Sequence, residues 1–223
     1  MIGFYDYTVI LTYMSLLSSI SGIFCASSGH PRWALACLAL SGLLDAFDGK
    51  VARTKKDRTA AQKSFGIQLD SLCDIVCFGV LPVVICFHLG MHGFVGMAVL
   101  GYYCLAGLIR LAWFNVTAEE AAQEGESMTY YQGLPITSIA VILPLFYAIG
   151  GWFPDAFPRV LHMVMLVTGM LFILRFPFRK PTNKELALII VGVALVILYI
   201  LACRYWGAAL PWHWTLRRVR GGA

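Results

Sequence analysis

Seven apolar runs, each near the length that crosses a bilayer, constrain this chain more than any other feature. They can be drawn at 8–28, 33–50, 68–89, 94–115, 134–153, 159–175 and 185–203, where a membrane-crossing helix needs about 20 residues. Only helices or closed barrels satisfy their backbone in lipid. The runs show no alternation of polar and apolar residues, so a barrel does not suit them. The expected fold class is an all-α integral membrane protein, a polytopic bundle of about six to eight transmembrane helices. No long polar segment remains, so residues 1–223 are read as a single membrane-embedded domain. Charged residues make up only 13% of the chain, against roughly 25% in soluble domains. The first run follows Asp6 and no Lys or Arg, which argues against a cleaved signal peptide.

The cations orient the bundle. Lys50, Arg53, Lys55, Lys56, Arg58 and Lys63 cluster after the second run, and Arg175, Arg179, Lys180 and Lys184 follow the sixth; the opposite loops offer only Arg32 and Arg159. By the positive-inside rule the two basic loops face the cytoplasm, and the N-terminus with them. Seven spans would then place Arg204, Arg217, Arg218 and Arg220 outside. Either the last run is not a span or Ala208 to Leu216 folds back as an interfacial segment. The net charge of +5 reads as this bias plus attraction to anionic lipid headgroups, not as a nucleic-acid footprint.

Carboxylates at the edge of hydrocarbon are costly and mark functional sites. Asp45 and Asp48 close the second run in "DAFDGKVAR", spaced i, i+3, and Asp70 and Asp74 in "FGIQLDSLCD" are spaced i, i+4. Each pair shares one helix face, and a cytoplasmic connection between antiparallel neighbours brings the faces together. Four carboxylates at close quarters cannot all ionise without cations between them. An all-oxygen cluster suits hard divalent ions, Mg²⁺ or Mn²⁺. Gly49, Ala52 and Gly66 leave little bulk beside the acids, and Arg53 offers a forked cation for phosphate oxygens. Metals, glycines and an arginine together suggest a pyrophosphate ester as substrate. The competing structural reading pairs the acids with nearby Lys and Arg at the interface.

Other groups invite less chemistry. The seven cysteines are scattered, and Cys73 and Cys77 lack a second pair to complete a metal set, so they read as small apolar packing residues. The five histidines are dispersed. Glu119, Glu120, Glu124 and Glu126 read as a solvated charge run in a polar linker. The tryptophans lie near run ends, where aromatic belts form, and "SLLSSISG" suits close helix packing. Arg110 is the sole charge inside the fourth run. An intramembrane arginine needs a reason; binding a substrate carboxylate, pairing with an acid or snorkelling all supply one.

The pattern Asp45-x2-Asp48-Gly49-x2-Ala52-Arg53, then Gly66-x3-Asp70-x3-Asp74, fills all eight positions of a signature and resembles the CDP-alcohol phosphatidyltransferase family. The twelve residues from Thr54 to Phe65 make a longer connection than that family's commonest form. The resemblance implies two divalent cations, with Asp45, Asp48 and Asp70 holding them against the CDP pyrophosphate and Asp74 both approaching a metal and acting as general base. It implies pyrophosphate binding at Gly49, Ala52, Arg53 and Gly66, with the cytidine near the first helix, where Ser15 stands in place of the usual Asn. It also implies a homodimer.

"FGIQLDSLCDIVCFGVLP", "IRLAWFNV" and "YYQGLPITS" are similar to the membrane-embedded serine-accepting branch of that family. With the motif they span a core of about residues 41–138. The implied reaction moves the phosphatidyl group from CDP-diacylglycerol to L-serine, with Arg110, Asn115 and Tyr131 as candidate serine-binding residues. The expected location is the cell membrane, multi-pass, with the active site facing the cytoplasm. Glycerol 3-phosphate or inositol phosphate as acceptor would call for more buried cations than Arg110. An ion transporter would place its acids near the midplane among broken helices, whereas these lie at one edge.

Overall fold

The computed structural model describes residues 3–52, 54–55, 57–124, 130–153, 155–179 and 182–205. Helix α1 covers Ile10–Ser27, α2 Pro31–Ala52 and α3 Ala60–Asp74; a π-helical turn, Ile75–Val80, carries α3 into α4, Leu81–His88. Then follow α5 (Gly93–Glu124), α6 (Ile139–Ile149), α7 (Phe157–Ile173) and α8 (Asn183–Tyr205). Since α3 and α4 form one continuous helical stretch, Ala60–His88, each of the seven apolar runs corresponds to one helical stretch. Among the described residues, four stretches are long and apolar enough to cross a bilayer alone: Tyr7–Ser27, Ala60–His88, Gly93–Ala118 and Lys184–Ala202. Ile136–Trp152 and Phe157–Ile173 are shorter apolar helices, and α2 is diluted by its terminal acids and Lys50.

Two boundaries differ from the sequence reading. The third helix starts at Ala60, eight residues before the apolar run, because Thr59 and Gln62 form a capping box: Gln62 N–H donates to Thr59 Oγ1 at 3.2 Å and Thr59 N–H to Gln62 Oε1 at 3.0 Å. That reciprocal bond satisfies two donors at the helix start. Asp70 and Asp74 therefore lie in the last two turns of α3, Asp74 as its final residue, rather than at its beginning. The acidic stretch through Glu124 is not a linker but the end of α5, built of Ala, Glu and Gln, all good helix formers. A short antiparallel ribbon lies outside the helices, β1 (Tyr130–Gln132) on β2 (Pro177–Arg179).

The bundle is assembled around α1 and α2, whose interface carries a ladder of small hydroxyls. Ser15 Oγ donates to Ser41 O at 3.2 Å, Ser41 Oγ to Ser15 O at 3.0 Å, and the Ser19 and Ser41 hydroxyls lie 2.8 Å apart. Small polar residues of this kind let helix backbones approach and bond across the interface. The π turn and α4 pack on α1, α5 packs on α7, and α6 and α8 flank α2. Phe78, Leu81, Ile85, Leu143 and Leu161 are among the fully buried residues of the core between them. The π turn disturbs the regular ladder immediately after Asp74; Tyr103 of α5 donates its hydroxyl to Phe78 O at 2.6 Å, supplying the partner a displaced carbonyl needs inside a membrane. Such turns cluster at functional sites.

Candidate active site

The second and third helices bring their acids together. One carboxylate oxygen from each of Asp45, Asp70 and Asp74 lies within 4.8 Å of the other two. Asp45 and Asp74 are in hydrogen-bonding contact, and so are Asp48 and Asp70. Asp48 is thus the fourth member, beside Asp70 rather than in the closest trio. It is buried, and Thr12 of α1 donates its hydroxyl to Asp48 Oδ2 at 3.2 Å. Carboxylates in contact need a shared proton or a cation between them.

The donor set fits a hard divalent ion. All its atoms are oxygens, which Mg²⁺ and Mn²⁺ prefer. Asp70 Oδ1 is buried without a hydrogen-bond partner, an acceptor that a cation would satisfy and that otherwise carries a desolvation cost. Of the neighbouring cations, Lys55 pairs with Asp6 rather than with these acids, Nζ to Oδ2 at 2.8 Å.

Gly49 and Ala52 occupy the last turn of α2, and Gly66 lies one turn before Asp70. A Cβ at Gly66 would stand 2.6 Å from Nη2 of Arg58, so a guanidinium rests over this glycine. Arg53 lies outside the described residues. Asn115 reaches the acid-bearing helix, its Oδ1 accepting from Ser71 Oγ at 3.0 Å. Arg110 is buried, donates through Nε to Leu134 O at 2.5 Å and lies over the Phe114 ring, 5.7 Å from its centroid. Tyr131 is paired with Phe178 in the β ribbon; its side chain lies outside the described residues.

Sequence reasoning missed three contributors: Thr12, which holds Asp48; Ser71, which joins Asn115 to α3; and Arg58, seated over Gly66. A signal for the first was present. Thr12, Ser15, Ser19, Gly22 and Ala26 repeat at three- and four-residue steps and are all buried, a stripe of hydroxyls and small residues that marks the inner face of α1. Nothing in the local spacing marks Ser71, whose partner lies 44 residues away, or Arg58, which stands in an irregular segment before α3.

A family model described as CDP-alcohol phosphatidyltransferase matches residues 7–175. Among similar proteins, a CDP-diacylglycerol–serine O-phosphatidyltransferase of Saccharomyces cerevisiae is 31% identical over 150 residues, covering 61% of this chain and 53% of the relative. One of the same description from Mycobacterium leprae is 30% identical over 177 residues, covering 76% and 57%. An archaetidylserine synthase of Methanothermobacter thermautotrophicus is 30% identical over 161 residues, covering 71% and 62%. The chain thus spans less than two thirds of the length of each of these relatives.

Proposed function

Because the chain belongs to the CDP-alcohol phosphatidyltransferase family, we propose that it transfers the phosphatidyl group of CDP-diacylglycerol to the hydroxyl of L-serine, releasing CMP. The observation that carries this reading is the convergence of Asp45, Asp70 and Asp74 within 4.8 Å, with Asp48 against Asp70. Serine as acceptor is supported by the names of relatives that align with most of the chain.

Asp45, Asp48, Asp70 and Asp74 would hold two divalent cations, Mg²⁺ or Mn²⁺. When bound, these offset the charge of the pyrophosphate and stabilise both the entering and departing oxygens. Gly49, Ala52 and Gly66 leave room for the pyrophosphate, and Arg53 is the forked cation proposed for its oxygens. Asp74 takes the proton from the serine hydroxyl. The hydroxyl oxygen forms a bond to the lipid-side phosphorus as that phosphorus loses its bond to the CMP oxygen. The proton stays on Asp74 and the electron pair leaves with CMP.

Serine brings a carboxylate, and Arg110 is the buried cation of α5, about a turn and a half from Asn115 at the acid-bearing helix. Arg110, Asn115 and Tyr131 are the proposed serine contacts. The site opens to the cytoplasm of the cell membrane, on the side of the basic residues 50–63, and the protein works as a homodimer among membrane lipids.

The deciding assay is CMP release from CDP-diacylglycerol with Mg²⁺ or Mn²⁺, supplying L-serine, glycerol 3-phosphate or inositol phosphate separately. Release that needs serine and falls by at least about a hundredfold in Asp74→Asn supports the reading. Release only with a phosphorylated alcohol overturns serine as acceptor.

A further inference from the structure

Arg58 lies in the polar connection between Ala52 and α3, outside the signature that identifies the family. Its Nη2 donates to Gln62 O at 3.1 Å, which lays the guanidinium along the first turns of α3. There it fills the recess over Gly66, within 2.6 Å of where a Cβ would be. Its Nε is buried and has no hydrogen-bond partner. A guanidinium serving only to pin the loop to the helix would be expected to have that donor satisfied as well, because a buried unpaired donor is costly.

The direction of the unpaired group matters. Gly66, Asp70 and Asp74 follow at four-residue steps and share one face of α3, and side-chain bonds lean toward the helix N-terminus. The recess over Gly66 therefore opens on the acid face, one turn before Asp70. Arg58, seated over Gly66, carries an unpaired buried donor, and Asp70, one turn along the same helix face, carries an unpaired buried acceptor, Oδ1, yet no ion pair joins the two residues. Charges of opposite sign held apart in this way match a ligand with a cation at one end and anionic oxygens at the other. A metal-bound phosphate has that form.

We infer that Arg58 is a substrate-binding residue whose guanidinium takes a phosphate oxygen of the nucleotide substrate across the Gly66 recess. The inference deepens the phosphatidyltransferase reading and rests on it. It gives the long connection a role: the loop delivers a forked cation in addition to the one proposed at Arg53, and the missing side chain of Gly66 lets that cation lie against α3.

The test is competitive binding to the full-length purified protein with Mn²⁺ saturating, using CDP and cytidine as probes, in the wild type, Arg58→Gln and Arg58→Lys. A hydrogen bond to a charged group corresponds to about ten- to a hundredfold in affinity. CDP should therefore weaken by about that factor in Arg58→Gln and less in Arg58→Lys, while cytidine, which has no phosphate, moves less than about twofold. Equal weakening of CDP and cytidine, with a lowered unfolding temperature, would mean that Arg58 only shapes the loop, and the inference falls. It falls equally if CDP affinity holds while the variant's activity changes its dependence on anionic lipid in vesicles, for the guanidinium would then serve a headgroup. Wild-type protein that fails to prefer CDP over cytidine and releases no CMP would instead sink the parent reading.

Discussion

Thr12 shows how one hydroxyl can set the behaviour of an acid it does not resemble. Its donation to Asp48 Oδ2 holds from behind a carboxylate that also contacts Asp70. Partners behind a ligand typically tune metal affinity by about ten- to a hundredfold. Thr12→Val, which keeps the shape and removes the donor, should raise the Mn²⁺ concentration for half-maximal binding about tenfold, with Thr12→Ser restoring it. Binding followed by Mn²⁺ resonance reads this apart from turnover; an unchanged Mn²⁺ affinity in Thr12→Val would reduce Thr12 to packing. At this scale the sequence displayed the acids clearly, since charge in an apolar context needs no neighbour to be noticed. Thr12 and Ser71 are hidden because a hydroxyl acquires meaning only from a partner far along the chain, and Arg58 because a cation in a basic loop looks like its neighbours until its contact with Gly66 is seen.

Among the elements, the connection after α2 is held from outside by the N-terminal segment. Tyr7 Oη lies 3.2 Å from Thr54 Oγ1, the Phe4 and Phe65 rings meet edge to face, and Lys55 bonds Asp6. The hydrogen bond from Lys55, with help from Thr8, holds the Asp6 carboxyl down at about 2, against about 3.9 in an unfolded chain. A depressed carboxyl contributes its full stabilisation above the unfolded value and loses it as pH falls through the folded one. Asp6→Asn should therefore speed amide exchange in residues 54–58 at pH 6, by no more than about fivefold for a partly exposed pair. That difference from wild type should shrink between about pH 4 and pH 2. A difference independent of pH would remove the ion pair from the explanation. Gly133 anchors the other side: at φ +76°, its missing Cβ would meet Leu174 O at 2.9 Å, and the next residue presents the carbonyl that Arg110 bonds. Gly133→Ala should cost about 1–3 kcal/mol in thermal unfolding, and an unchanged midpoint would show that the turn relaxes freely. Apolar length revealed the helices, but their ends followed capping and propensity. Thr59 with Gln62 moved the start of α3, and the Ala/Glu stretch carried α5 through to Glu124.

For the whole molecule, the acids, the recess over Gly66 and the basic connection all lie toward one end of the bundle, opposite the α1–α2 turn at Gly29. A cysteine placed at Asp57 should react with an impermeant maleimide only from the cytoplasmic side, and one at Gly29 only from the outside, in at least about a tenfold rate contrast. The reverse pattern would turn the site outward, against the charge bias. The helical membrane class was legible because lipid allows so few backbone solutions. The π turn after Asp74 was not, since Ile75–Val80 differs in no compositional way from the helix around it. Its marker is a tertiary bond, from Tyr103 to Phe78 O.

The most direct test counts the ions. Mn²⁺ bound to the purified protein in the presence of CDP should be measured by electron paramagnetic resonance, in the wild type and in Asp70→Asn. The expected result is two interacting ions per chain, with at least one lost in the variant together with CMP release. Two ions retained in Asp70→Asn, or none bound by the wild type, would contradict a divalent-cation site built by Asp45, Asp48, Asp70 and Asp74.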